Sequence, residues 1–457
     1  MMTNSAPDSR PSSRSEKPSA GKVEKASRPP RKPVVGVVGG GQLAWMLAQA
    51  AIDLGVDLNV QTPHPEDPAA GLAAKLVLAD LEDWCATRTM AQGCTAISFE
   101  NEWLQLAELE QLRDEGVRFL PSLESLGPLI SKRAQRELLD RLHLPCPRWC
   151  PLNDVLIPMP VAAPPLAATV QDPMGQSSDP NPTLDSSSQG RKPSAPRLPE
   201  GFRFPLMAKA VNGGYDGKGT IPLKNQGELE ALLAHVDPIG WILEEMVAFD
   251  QELAMVACRD QRGKVACFPL VETHQHQRVC EWVVFPASAN HATRAFAHNV
   301  AASLLTALDY VGVMGIEFFY GHQGMQVNEL APRTHNSGHL TIEACSVSQF
   351  EQQVRIVAGL PMGSTDPIVL GALMVNLLGF ESAVSDYVER RHSLAALPGA
   401  SLYWYGKRKA CPGRKLGHLT VLLESEIPAE RQIEVNRRLA EIRKIWPLPQ
   451  KDEQSLK

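Results

Sequence analysis

Two acidic residues, Glu317 and Glu329, flank a short turn, Gly321-His322-Gln323-Gly324, with apolar stretches leading into it and out of it. That pattern predicts a β-hairpin. Pairing its arms brings the two carboxylates together, with Asn328 beside them. Hard oxygen ligands in such a place suit Mg²⁺ bridging nucleotide phosphates. A carboxylate left unpaired among apolar strands is otherwise costly to bury. The competing reading is two acids exposed on an edge. Directly after the hairpin come Arg333, His335, Asn336, Ser337 and His339. Loops that carry so many polar groups serve function more often than packing.

Two further segments suit phosphate chemistry. Lys209 precedes Gly213, Gly214, Tyr215, Asp216, Gly217, Lys218 and Gly219, which place four glycines in seven positions. Such a loop exposes backbone amides and can close over a triphosphate, excluding water. Its spacing is not that of a Walker A loop, and a plain hairpin turn needs fewer glycines. Lys407, Arg408, Lys409, Arg414 and Lys415 put five basic residues within nine positions, which suggests a pocket for a phosphorylated substrate. The alternative is a solvated turn.

Near the start, Val34-Val35-Gly36-Val37-Val38 leads into Gly39-Gly40-Gly41-Gln42-Leu43. Glycines between a strand and a helix admit an anion at the helix N-terminus. Positions 39, 41 and 44 also satisfy the dinucleotide fingerprint GxGxxA. A dinucleotide site wants an acid at the end of the next strand, and Gln61 stands there instead. A nicotinamide-dependent oxidoreductase is therefore the weaker reading, and a turn serving packing alone is the third.

The elements that must position these residues follow from periodicity. Strands alternate with helices from residue 34 to about 125, which predicts a parallel α/β sheet. Leu43, Met46, Leu47, Ala50, Ala51 and Leu54 repeat at helical spacing. From residue 204 the texture turns β-rich, with strands expected over 204–211, 241–247, 252–259, 264–273 and 310–320. Helices are expected over 294–308, 348–358 and 429–444, and short strands over 401–405 and 418–423. Residues 151–199 are rich in Pro and Ser and read as a disordered insertion. Residues 1–32 read as a disordered arm and 449–457 as a disordered tail. The resulting division is an N-terminal α/β domain over 33–125, a central domain over 126–365 and a small C-terminal domain over 366–448.

The chain has 457 residues, enough for several domains. Hydrophobic residues make up 44% and the net charge is −6, which argues against a nucleic-acid protein. The nine cysteines show no zinc spacing; reduced thiols in a cytoplasmic protein are expected. No run is long and apolar enough to span a bilayer. The first 32 residues lack the apolar stretch of a secretory signal, and Asp8, Glu16 and Glu24 argue against a transit peptide.

Four motifs in this order, GGGQLAWM, NGGYDGKG, NELAPRTHNSGH and GRKLGH, resemble those of the ATP-grasp ligases, and among them the N5-carboxyaminoimidazole ribonucleotide synthetases. The resemblance covers roughly residues 34–448 outside the insertion. It implies a Rossmann-like N-terminal domain, a central ATP-grasp domain with a glycine-rich flap and a small β-rich C-terminal domain. It implies that Lys132 and Lys209 serve the nucleotide phosphates, that residues Gly214 to Gly219 form the flap and that Glu244, Glu245, Met246 and Val247 face adenine. Glu252 would bind the ribose hydroxyls; of two neighbouring histidines, His276 rather than His274 would face the nucleotide. Glu317 and Glu329 would hold magnesium, with Asn328 beside them. Gly41, Gln42, Leu43, Glu100, Asn336, Lys407, Arg414 and Lys415 would bind the ribonucleotide. Arg333, His335 and His339 would hold bicarbonate. The implied reaction joins bicarbonate to 5-aminoimidazole ribonucleotide at the expense of ATP, in a homodimer. Formate-dependent glycinamide ribonucleotide transformylase is the sister family; it carries His-Asp-Thr-Gly where this chain has His335-Asn336-Ser337-Gly338. A non-catalytic nucleotide sensor is the remaining alternative.

Overall fold

Val34–Val38, four valines around one glycine, forms β1, because β-branched side chains fit a pleated surface covered on both faces. It lies between β2 (Asp57–Thr62) and β4 (Ala96–Phe99), and β3 (Lys75–Leu78) completes a parallel sheet of order β3-β2-β1-β4. This is a computed structural model, and it describes residues 32–156, 196–214 and 219–450. The expected arm to residue 31, flap residues Tyr215, Asp216, Gly217 and Lys218, and the tail from 451 lie outside the described residues.

Helix α1 (Gln42–Asp53) follows β1 and buries Leu43, Ala44, Met46, Leu47, Ala48 and Ala51. That face meets Phe350, Val354 and Val357 of a later helix, Gln349–Val357, in one core cluster. The contact fastens the N-terminal sheet to the central region. Ser348 starts the later helix by accepting from the Glu351 N–H at 3.1 Å, an ordinary N-cap.

The central region has two antiparallel layers. The smaller, of order β5-β8-β6-β7, contains β5 (Trp149–Pro151), β6 (Leu206–Ala210), β7 (Thr220–Leu223) and β8 (Trp241–Glu245). The expected insertion therefore starts too early. Pro151 ends β5, and the 3₁₀ turn Leu152–Leu156 sends Leu152 and Val155 into the core with Leu206 and Leu243. Two apolar anchors outweigh the surrounding Pro-rich composition. Residues 157–195 lie outside the described residues.

The larger layer holds β9 (Gln251–Arg259), β10 (Val265–Cys267), β11 (Val271–His276), β12 (Val279–Phe285), β13 (Gly312–Gly321), β14 (Gly324–Ala331) and β15 (Gly371–Leu378). The one strand expected over 264–273 is two, β10 and β11, split at Phe268-Pro269-Leu270. Pro269 has no N–H to give a ladder, and Phe268 is buried in the core instead. Beyond β15 come β16 (Ala383–Val384), β17 (Ala400–Trp404), β18 (Lys409–Ala410) and β19 (Lys415–Leu423). Strands β19 and β17 extend the larger layer, whose path is β14-β13-β9-β11-β12-β15-β19-β17. The C-terminal segment thus shares a sheet with the central domain, through the β12–β15 pairing. Strands β16 and β18 pair separately. The C-terminal helix Pro428–Ile445 packs Val435, Leu439 and Ile442 against that extension.

Among the described residues no helix is long and apolar enough to cross a membrane. All nine cysteines are free thiols.

Candidate active site

The hairpin forms as its sequence requires. Strands β13 and β14 pair antiparallel with Glu317 directly opposite Glu329, and a bulge follows at Phe318. Burial raises the Glu317 pKa to about 7, and the charges of Glu329 and Glu252 add to the rise. Burial pushes Glu329 the same way, but the Lys132 ammonium, 3.0 Å from its Oε1, more than offsets that, and its pKa is lowered. One carboxylate of the pair is therefore neutralised by a lysine, and the other carries the repulsion. Among the described residues no cluster of three or more His, Cys, Asp or Glu side chains forms a closed metal site. Two opposed carboxylates and Asn328 fit a cation whose remaining ligands come from phosphates and water.

The two lysines expected at the phosphates come from different elements. Lys132 opens the helix Lys132–Arg141, capped by Ser131. Lys209 lies in β6, opposite Thr220. Its Nζ is 2.7 Å from Glu244 Oε2 and donates to Asn328 Oδ1 at 3.2 Å. Asn328 in turn donates to Glu317 Oε2 at 3.4 Å. Asn328 thus joins the lysine of the small layer to the carboxylate of the large one.

Glu244 corrects an expectation. Its side chain does not face outward toward a base. It is 2% exposed and lies between Lys209 and Arg136, whose Nε is 2.7 Å from Oε1. Burial would raise its pKa, but the two cations overcome this and hold it at about 2. Burial lowers the Lys209 pKa despite the ion pair. Arg136 also donates to the Asn328 carbonyl at 2.7 Å. Arg136 was missed in the sequence, although it stands one helical turn after Lys132 and shares its face. Of the other residues expected at adenine, Glu245 and Val247 are half-buried and Met246 is exposed at the end of β8.

The glycines before α1 have a reason the fingerprint does not give. Glu100, just past β4, turns its carboxylate onto the N-terminus of α1. Oε2 accepts from the Gly41 N–H at 2.6 Å, and Oε1 from Leu43 at 3.0 Å and Ala44 at 3.3 Å. A Cβ on Gly39 would lie 2.4 Å from Glu100 Cβ, and one on Gly41 would lie 2.5 Å from Oε1. Gly39 also has φ +123°, a value side chains rarely adopt. The anion at this helix N-terminus belongs to the chain itself, which removes the dinucleotide reading: a pyrophosphate would meet a carboxylate. Burial raises the Glu100 pKa, while the three N–H groups oppose the rise.

Gln42, the first residue of α1, accepts from Lys407 Nζ, which also donates to the Lys415 carbonyl at 3.1 Å. The basic segment is thereby brought to the start of α1. Arg414 is exposed and donates to the Lys409 carbonyl at 2.6 Å. Asn336 forms a reciprocal amide pair with Asn376 of β15, at 2.9 and 2.7 Å. Both ends of its amide are thus engaged within the protein, and no sequence signal marked Asn376.

The loop after β14 divides its residues. His335 Nδ1 is 2.8 Å from Ser337 Oγ, and its Nε2 is 3.4 Å from Glu317 Oε1. Arg333 is gripped by Glu102. His339 corrects an expectation: it is 0% exposed, beside His418 at 4.7 Å between ring centroids, and closed off from a dissolved anion. Burial holds both rings neutral, His418 at about 3.

At the far edge, Glu252 of β9 pairs in register with Thr273, and Gln275 donates to its carboxylate. Burial raises its pKa. His276 Nε2 donates to the Pro449 carbonyl at 3.0 Å, so this ring is tied to the last described residues. His274 stacks on Trp282 with centroids 3.5 Å apart.

Two antiparallel layers, with Lys209 from the smaller, Lys132 from a helix start and paired carboxylates from the larger, define an ATP-grasp ligase. Residues 187–350 match the ATP-grasp domain, 33–127 the ribonucleotide synthetase preATP-grasp domain and 372–432 the phosphoribosylaminoimidazole carboxylase C-terminal domain. The N5-carboxyaminoimidazole ribonucleotide synthase of Synechococcus elongatus is 45% identical over 415 residues, 91% of this chain and 96% of that one. The carboxyaminoimidazole ribonucleotide synthase of Aspergillus clavatus, solved with ATP, superposes with a TM-score of 0.73 at 26% identity, covering 91% of this chain and 99% of that one. A second structure from that organism, with ADP and 5-aminoimidazole ribonucleotide, gives 0.72 at 25% identity and covers 90% and 99%. The chain belongs to the N5-carboxyaminoimidazole ribonucleotide synthase family.

Proposed function

We infer that the chain carboxylates 5-aminoimidazole ribonucleotide on its exocyclic amine, using bicarbonate and ATP, in purine biosynthesis. The observation that carries this is the polar chain Glu244–Lys209–Asn328–Glu317–His335, which runs from the nucleotide layer to the loop expected to hold bicarbonate.

The residue roles follow from position. Lys132 and Lys209 would meet the phosphates; each is already oriented by a carboxylate, Glu329 and Glu244. Glu317 and Glu329 would hold Mg²⁺, which screens charge on a transferred phosphoryl group when bound. The raised pKa of Glu317 supports that fit, because a nearby cation relieves the repulsion that raises it. A bicarbonate oxygen attacks the γ-phosphorus, ADP leaves and carboxyphosphate forms. The substrate amine captures it, or the CO₂ it releases, and phosphate departs. Arg333 and His335 would hold the bicarbonate. Glu100 would orient the ribonucleotide, and Lys407, Arg414 and Lys415 would neutralise its phosphate; closure over the site protects the acyl phosphate from water. Asn336 would contribute through its backbone, its amide being paired. A homodimer in the cytoplasm rests on the family alone.

Phosphate release from MgATP with bicarbonate, with and without 5-aminoimidazole ribonucleotide, tests the reading. Stimulation by the ribonucleotide with an acid-labile carboxylated product is expected. A requirement for formate and glycinamide ribonucleotide instead would move the chain to the sister family.

A further inference from the structure

Glu102 had no part in the sequence reading, yet it makes the most specific ion pair at this site. It follows β4 by three positions, whereas Arg333 follows β14 by two, and the two are 231 residues apart in the chain. Arg333 Nε donates to Oε2 at 2.6 Å and Nη2 to Oε1 at 3.2 Å. This is a bidentate pair along one edge of the guanidinium. Nη1 donates to the Thr334 carbonyl at 3.2 Å. A guanidinium has five N–H donors, and these contacts use three. Two N–H groups remain, one on each terminal nitrogen. A planar anion can bridge the two terminal nitrogens of a guanidinium. The pair is sheltered, with side chains 14% and 21% exposed. Burial disfavours the guanidinium charge, but the Glu102 carboxylate more than offsets this, so the cation is secure.

We propose that Glu102 is a positioning residue that holds Arg333 by one edge so that its terminal nitrogens face bicarbonate and the carboxyphosphate made from it. The inference rests on the reading above, in which Arg333 serves bicarbonate. A guanidinium is planar, so fixing one edge fixes the direction of the other. The pair is also close to neutral as a unit, which lets the anion be oriented without being held too tightly to turn over. Glu100, two residues earlier, fixes the start of α1 on the ribonucleotide side. One short stretch of chain therefore sets both the acceptor side and the bicarbonate side, and the distance between them decides whether the acyl phosphate is captured or hydrolysed.

The test is the ratio of ADP to carboxylated product in Glu102→Gln and Glu102→Asp, at saturating ribonucleotide and over a range of bicarbonate, with thermal unfolding measured alongside. Glu102→Gln keeps the size and removes the charge. It is expected to raise the KM for bicarbonate by about 10- to 100-fold, the cost of misplacing a catalytic group by roughly 1 Å. The ADP-to-product ratio should rise above that of the wild type, with the KM for MgATP within about twofold. Glu102→Asp should recover part of the coupling. An unchanged ratio and bicarbonate KM in Glu102→Gln overturns the proposal. So does a loss of all kinetic parameters in step with the melting temperature, which would make the pair a tie between domains and nothing more. Wild-type enzyme whose ATP hydrolysis ignores bicarbonate would instead remove the reading beneath it.

Discussion

Glu317 and Glu329 occupy one rung of an antiparallel ladder, so their carboxylates sit opposite one another and each feels the other's charge. Lys132 pairs directly with Glu329, and its weaker pull on Glu317 does not offset burial and repulsion there. Glu317→Gln should therefore stabilise the nucleotide-free protein at pH 8, by on the order of 1–2 kcal/mol, while MgATP-dependent turnover is lost. Urea unfolding and a coupled ADP assay measure the two effects. A variant both less stable and fully active would break the assignment.

The buried Glu244 gives a pH dependence with a definite sign. Its folded pKa is about 2, below the ordinary carboxylate value of 4.5. Its contribution is therefore fully present above about pH 4.5 and is lost as pH falls toward 2. Glu244→Gln should cost about 3 kcal/mol at pH 7, and the gap to wild type should close between pH 4.5 and 2. Denaturant titrations at several pH values check it; a gap independent of pH would show that shape, not charge, matters there.

Gly41→Ala tests the carboxylate at the helix start. The added carbon would lie 2.5 Å from Glu100 Oε1, so the carboxylate must move or the helix must shift. The expected result is a KM for the ribonucleotide about tenfold higher, with the KM for ATP unchanged, and a stability loss of about 1–3 kcal/mol. Gly55→Ala, whose Cβ has open space but whose φ is +67°, reports backbone strain alone and should leave both KM values as they are.

The basic segment should read out as salt dependence. Lys407→Met removes a charge that reaches α1. The ribonucleotide KM should rise about 10- to 100-fold, the range for one charge-assisted contact. Its sensitivity to ionic strength should fall. Initial-rate kinetics in 50 and 300 mM salt distinguish this from misfolding, which would move the KM for ATP as well.

The parts of this site visible in the sequence are those where spacing and geometry coincide. The hairpin brings Glu317 and Glu329 together, although its turn register continued unbroken would set Glu317 opposite Asn328, and it is the bulge beside Phe318, which spacing did not show, that places Glu329 there. Three strands of the parallel sheet, β1, β2 and β4, were visible because apolar, β-branched runs alternate with helical periodicity, whereas β3 (Lys75–Leu78) was missed. What spacing could not show is where a polar side chain finds its partner when that partner is distant in sequence. Glu244 reads as a residue facing adenine until Arg136, 108 residues earlier, is placed against it. His339 reads as a ligand in a polar cluster until His418 and Gln349 close around it. Glu102 sits two residues from a residue that was singled out, but its meaning lies in Arg333. The Pro-rich segment misled for the opposite reason: composition averages over Leu152 and Val155, and burial is decided residue by residue.

The pairing of β12 with β15 has a mechanical consequence. Trp282 to Phe285 are hydrogen-bonded in register to Val375 to Ala372, so the carboxylate hairpin and the basic segment hang from one continuous backbone lattice. Such a lattice shears poorly, and the two cannot drift apart as separate lobes would. Compliance falls to the four-stranded layer that carries Lys209. The anvil is fixed and the hammer moves: nucleotide loading should slow amide exchange in β6 and β7 while leaving β12 and β15 as protected as before.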